Sequence, residues 1–244
     1  MHIPDSMLHG AVCPVTLAVG AAGVAVAARA ASRSESKPTS ARFAAITALI
    51  LAAQMINFPV ASGTSGHLVG GVLAAALLGI PFAVLSMTTV LAIQAFLFAD
   101  GGMFALGANV INMALIGAGA GGWIYQRISK DESLGGAQSM AGLALASWIS
   151  VFLAAGACSV ELAWSGAAEW SAVLPAMAGI HALIGLSEAV LTVGLAWALT
   201  REPAVRQPVL VPLAAAFVVA VLLSPFASRL PDGLETVARQ LGIL

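Results

Sequence analysis

The sequence predicts an all-α protein, a polytopic membrane helix bundle of eight spans. Three observations predict it. Only 9% of the 244 residues are charged and 60% are hydrophobic, whereas a soluble globular domain carries roughly 25% charged residues. The apolar residues come in blocks, most of them about 20 residues long, enough to cross a bilayer as a helix. No segment shows the alternating polarity of a transmembrane β-strand. Inside lipid the backbone must satisfy its own hydrogen bonds, so helices are the expected solution.

The spans run near 8–31, 41–59, 67–79, 81–98, 104–127, 137–159, 172–200 and 208–227. The chain opens MHIPDSMLHG, with no lysine or arginine before the first apolar block. A signal peptide would begin with basic residues, so this N-terminus is expected to be retained. Methionine removal generally needs a small second residue, and His2 is large, so a free Met1 amine is expected. The polar run 31–38 reads as a flexible loop. The third span is short, and Gly79-Ile80-Pro81 reads as a tight turn before the fourth. Gly66 and Gly70, and Gly117 and Gly121, are four apart, a spacing that suits close helix packing. Cys13 and Cys158 lack zinc-site spacing. They read as small apolar residues within helices, and whether they pair is not legible.

Orientation follows from the basic residues. Arg29, Arg33, Lys37, Arg42, Arg127, Lys130, Arg201 and Arg206 follow the first, fifth and seventh spans, while Arg229 and Arg239 lie in the tail. The positive-inside rule makes the basic loops cytoplasmic. Both termini are then outside, with the segments around 60–67, 99–103 and 160–171. The net charge of −1 gives no reason to expect a nucleic-acid partner.

The four histidines, His2, His9, His67 and His181, all fall outside or in the outer half of the membrane on this topology. His2 stands beside the free amine. The amine and the His2 amide nitrogen can close a five-membered chelate, and the amide and the imidazole a six-membered one. Nickel(II) and copper(II) accept square-planar nitrogen ligation. Three planar donors leave one corner open, and the His67 imidazole, at the start of an outer span, is the choice for it. Protons compete for these nitrogens, so metal affinity should fall at acid pH. Met1, His2 and His67 are therefore the candidate metal ligands.

Other polar residues have weaker readings. Asp5 either orients a histidine ligand or caps the first helix. Asn57, Gln94, Asn109 and Asn112 are expected to hydrogen-bond the loops that hold the N-terminus. His9 reads as an interfacial histidine. His181 and Glu188 share a helix face and are expected to pair with neighbouring helices rather than hold metal. No catalytic constellation is evident. Neither Lys37 nor Lys130 sits in G-x-x-x-x-G-K-[ST], so there is no P-loop and no ATP site of that kind.

Several motifs together resemble one family. MHIPD at the start is one. The others are 57–60 (NFPV) leading into 63–71 (GTSGHLVGG), 94–102 (QAFLFADGG), 106–113 (LGANVINM) and 181–188 (HALIGLSE). In order and spacing these resemble the substrate-capture subunits of nickel and cobalt energy-coupling factor importers, the CbiM/NikM family, over residues 1 to about 200. The resemblance implies a seven-helix capture subunit, with the metal held by the Met1 amine, the His2 amide and imidazole, and the His67 imidazole. It implies a bacterial cytoplasmic (inner) membrane location, a transmembrane coupling subunit and cytoplasmic ATPase subunits as partners. The cargo would be Ni2+, or alternatively Co2+ destined for cobalamin synthesis. The family usually has glycine where this chain has Ser6, which is tolerated unless the backbone there needs a positive φ.

The end of the chain, SPFAS at 224–228 and PDGLE at 231–235, resembles the small accessory subunit of nickel importers. The chain is expected to divide into a capture domain, 1–203, and an accessory helix with an outer tail, 204–244. Two rivals remain. An ion-coupled secondary transporter would use mid-span acids, chiefly Glu188. An intramembrane serine hydrolase would use His181, but there is no G-x-S-x-G elbow.

Overall fold

The computed structural model describes residues 1–61, 63–130, 133–201 and 207–244. Arg206 and the expected 203/204 boundary lie outside the described residues. Ala- and Leu-rich runs with high helix propensity form α1 (Val12–Arg33), α2 (Ser40–Gln54), α3 (Gly71–Leu78) and α4 (Ile80–Phe98). Helix α5 occupies 106–129, with a widened π-helical stretch at Val110–Ala120. Helices α6 (Ala137–Trp164), α7 (Trp170–Leu199) and α8 (Leu210–Phe226) follow. A short amphipathic helix, α9 (Gly233–Gln240), ends the chain. Each predicted apolar stretch thus contains a helix. Among the described residues, four helices are long and apolar enough to cross a membrane: α1, α4, α6 and α7.

Helix packing depends on small residues. A Cβ placed on Gly71 of α3 would come 2.6 Å from the Gly117 carbonyl carbon and 2.7 Å from the Ala118 nitrogen of α5, so these helices touch backbone to backbone. Gly79, at φ 84°, ends α3 and starts α4, with Pro81 in the first turn of α4, where its missing N–H costs nothing. This is the tight turn the sequence predicts.

One expectation needs correction. The second span stops at Gln54 rather than 59. Phe58–Ala61 (β1) pairs antiparallel with Thr64–Gly66 (β2), Phe58 opposite Gly66 and Pro59 opposite Ser65. Pro59 lacks an amide hydrogen and biases Phe58 away from helical angles. Hydropathy alone registers only that the segment is apolar. The outer tail is also structured. The Asp232 side chain accepts from the Glu235 N–H and the Glu235 side chain accepts from the Asp232 N–H, a capping box that starts α9. Leu234, Val237 and Ala238 then bury one face.

The two ends of the bundle differ. Arg42, Leu134 and Thr200 line a shared cavity at one end, where Arg127 stacks on Trp123 and Arg201 on Trp197. At the opposite end a second apolar cluster joins Ile3, Met7, Val12, Ala105, Cys158, Met177 and Leu234. Trp164 and Trp170 are exposed there. Tryptophans at both levels suit the two interfaces of a membrane. Cys13 and Cys158 are free thiols.

Candidate functional site

The site lies at the second end and begins with the N-terminal segment. Ile3 and Met7 are fully buried and pin residues 1–7 into the bundle. The backbone between them still needs partners away from water. Asn109 of α5 supplies two: its Oδ1 accepts from the Ile3 N–H (2.8 Å) and its Nδ2 donates to the Ile3 carbonyl (3.1 Å). The Gly102 N–H donates to the same carbonyl at 2.8 Å. Asp5 follows neither of its two expected readings. Its carboxylate accepts from the N–H groups of Met103, Phe104 and Ala105 at 3.1, 2.8 and 3.0 Å. It holds the 103–105 turn that leads into α5, the helix that carries Asn109, and does not cap α1, whose N-terminus has no side-chain cap. Ser6 is accommodated, because Ala99 and Lys130 are the only non-glycine residues with positive φ among the described residues.

The β-hairpin carries the second component. His67 directly follows β2 and is buried. Glu188 of α7 receives the N–H groups of Val69 (2.7 Å) and Gly70 (2.8 Å), one on each carboxyl oxygen, and so fixes the turn from His67 into α3. Gln54 donates to the Val69 carbonyl at 2.7 Å. His67 Nδ1 lies 3.1 Å from the Leu68 carbonyl. That oxygen can only accept, so Nδ1 carries the proton and Nε2 presents its lone pair.

The Met1 amine lies 3.2 Å from that His67 Nε2. The His2 ring stacks on His67 with centroids 5.1 Å apart and planes inclined by 23°. Met1, His2 and His67 are therefore brought together. The His2 ring is turned toward other partners: Nε2 is 3.1 Å from Gln94 Oε1 and Nδ1 is 3.4 Å from Asp100 Oδ1. Among the described residues no three His, Cys, Asp or Glu side chains converge as a metal site. What converges is two imidazoles and the main-chain terminus.

Burial, and then the positive charge of the Met1 ammonium, push both imidazoles from 6.5 down to about 3. Both rings are thus neutral and open to ligation near pH 7. The sequence reading missed Asp232. Its Oδ2 accepts from the Met1 ammonium at 3.3 Å, and the tail is held there by Ser65, which donates from N–H and Oγ to the Pro231 and Leu230 carbonyls. Burial alone would raise the Asp232 carboxyl. The ammonium and the Glu235 N–H outweigh it and hold it below the usual carboxylate range. No local pattern links residues 231 apart, so sequence carried no signal for this contact.

Of the four polar candidates for holding the N-terminus, Gln94 and Asn109 do so through side chains. Asn57 contributes its carbonyl, which accepts from the Ser228 N–H. Asn112 instead donates to Glu161 at 2.7 Å. His9 is exposed. His181, expected to pair with a neighbouring helix, instead bonds back to its own helix at the Met177 carbonyl (2.9 Å). Glu188 pairs with a neighbouring segment as expected.

Comparison with known proteins agrees with this architecture. Residues 2–205 match the family CbiM, described as the cobalt uptake substrate-specific transmembrane region. The chain is 35% identical, over its whole length and 83% of the relative's, to the putative fused nickel transport protein NikMN of Archaeoglobus fulgidus. It is 32% identical over 85% of its length to the fused nickel transport protein NikMN of Rhodobacter capsulatus, covering 64% of that protein. A crystal structure described as a truncated transition metal transporter superposes with a TM-score of 0.71 and 31% identity, over 82% of this chain and 98% of that one. The chain belongs to the CbiM family and is a nickel/cobalt transport protein of the membrane, not an enzyme.

Proposed function

We propose that this protein is the metal-capture subunit of an energy-coupling factor importer. It binds Ni2+, with Co2+ as the alternative cargo, through the Met1 amine, the His2 amide and imidazole, and the His67 imidazole. The observation that carries the reading is the meeting of the Met1 amine with His67 Nε2 at 3.2 Å, with the His2 ring stacked on His67. The amine and amide must shed protons to ligate, and the His2 ring must turn from Gln94 and Asp100 toward its own amide. Square-planar nitrogen donors favour nickel over cobalt, and the relatives named as fused nickel transport proteins point the same way. The nickel reading also takes 1–203 as the capture domain and 204–244 as the fused accessory segment.

With no P-loop of its own, the chain depends on partners for energy, a transmembrane coupling subunit and cytoplasmic ATPases. The end bearing Arg42, Arg127 and Arg201 faces the cytoplasm, so the site and both termini face outward. Glu188 holds the His67 turn with both carboxyl oxygens, which favours this reading over an ion-coupled transporter that would need it free.

Calorimetry with separate Ni2+ and Co2+ titrations, on purified chain with an unblocked N-terminus, tests the reading. Tight binding of one metal, lost in His2→Ala and His67→Ala, is expected. Binding indifferent to both substitutions rules the ligand set out.

A further inference from the structure

Two chambers flank the contact between Met1 and His67. The outer one, about 200 Å³, is lined by His2, His67, Asp100, Asp232 and Glu235, among others. The second, about 10 Å³, lies on the other side and is lined by Met1, His67, Val151, His181, Asp232 and Gly233, with others. Val151 and Ile184 stand near the midpoints of α6 and α7, so this chamber leads toward the middle of the bundle. Its size matches a single water molecule or ion. His67 and Asp232 border both chambers.

His181 Nε2 has no hydrogen-bond partner among the described residues, although the residue is only 1% exposed. A buried polar atom without a partner is costly and rare. The Nδ1 atom lies 2.9 Å from the Met177 carbonyl, an oxygen that can only accept. Nδ1 therefore carries the proton, and in the neutral ring Nε2 is a bare lone pair. His67 is oriented in the same way by the Leu68 carbonyl. A backbone carbonyl fixing one ring nitrogen so that the other faces a cavity is the usual preparation of a histidine for metal.

We infer that His181 Nε2 is a ligand at an inner transfer station for the divalent metal ion, reached from the capture site through the chamber that His67 and Asp232 also line. The ion leaves the Met1, His2 and His67 set by exchanging one ligand at a time, so it is never bare in a low-dielectric interior. Imidazole and carboxylate donors suit a borderline divalent ion, and the Asp232 carboxylate balances its charge. The tail thereby acquires a role, since the segment that carries Asp232 and Gly233 forms one wall of the station. The inference rests on the capture site proposed above and adds a step inward from it.

Two variants test the station without altering a capture ligand. His181→Gln removes the nitrogen. Gly233→Ala places a Cβ 3.0 Å from His181 Nε2 and 2.5 Å from Ile184 Cδ1, a flexible tip that can yield, and fills the chamber. The measurements are metal binding by the purified full chain and uptake of radioactive nickel and cobalt by cells carrying the complete transporter, with His2→Ala and His67→Ala alongside. Both variants are expected to keep Kd within about threefold of wild type while uptake falls at least about tenfold. In His67→Ala, excess Co2+ should still give a weak visible absorption band, which the His67→Ala/His181→Gln double variant should lack. That band would not respond to a merely structural role. Wild-type uptake by His181→Gln overturns the station, as does a loss of binding as deep as in His67→Ala, which would place His181 in the capture set. Normal binding by His2→Ala and His67→Ala instead overturns the capture reading, and uptake by His181→Gln then decides the station on its own.

Discussion

Asn109 reads the N-terminal segment as a strand would. It takes both the N–H and the carbonyl of Ile3, one residue past the proposed ligand His2. Asn109→Ala leaves the buried Ile3 N–H unpaired, at about 1–3 kcal/mol, while the Ile3 carbonyl keeps the Gly102 N–H. Ni2+ binding should weaken about tenfold or more, and calorimetry reads it directly, while the helical content stays unchanged. The two imidazoles give a second expectation. Their docked values near 3 lie below 6.5 because of burial and then the Met1 ammonium. An undocked histidine takes up a proton near pH 6.5 and a docked one resists until about 3. Docking is therefore fully stable above pH 6.5 and weakens as pH falls from 6.5 toward 3. Amide exchange at Ile3 and Met7, corrected for the intrinsic pH dependence, should accelerate across that window in the metal-free protein. Flat protection would mean that the docked rings accept protons readily. At this scale His2 could be singled out as a candidate ligand because the chemistry of an amine followed by histidine is local. Asp232 could not, because its partner stands at the other end of the chain.

Elements place those residues. The four-residue strand β1 exists because Pro59 ends α2 early, and β2 then delivers His67 to the Met1 amine. Substituting Pro59 by alanine frees the segment to continue the helix, and His67 should lose its position. Metal binding should fall together with protection of the Ser65 amide, which donates to the Pro231 carbonyl. Unchanged binding would show that the hairpin holds without Pro59. The approach of α3 and α5 is equally specific. Gly71→Ala pushes a methyl into the Gly117–Ala118 backbone, where no flexible side chain can yield. The loss should exceed the 1–3 kcal/mol common for overpacking, visible as a thermal midpoint several degrees lower in detergent. The spans were legible from apolar block length. The hairpin was not, since a half-buried strand four residues long disappears inside a hydropathy average.

Across the whole molecule, the two chain ends meet. Met1 is 6% exposed, and its nitrogen lies between His67 and Asp232. Residues added before it have no room to pass and convert the amine to an amide. An N-terminal extension should therefore abolish Ni2+ binding, by about 100-fold or more, while leaving α6 and α7 packed. A tagged chain that binds like the native one would remove the amine from the ligand set. The tail depends on the same contact, because α9 packs over Ile184 and His181 through Gly233 and closes one side of the site.

The sequence by itself determined the membrane class, the positions of the helices and the basic end, and it singled out the start of the chain as a candidate chelate. Each depends on composition or on neighbours a few residues apart, where burial in lipid and covalent geometry leave few choices. Tertiary structure alone decided that Asp5 holds the turn before α5, that Glu188 holds the His67 turn, and that Asp232 reaches Met1. These contacts join residues roughly 100, 120 and 230 positions apart. They form because buried backbone donors and a buried charge must find partners wherever packing brings them, and no local pattern records which partner that will be.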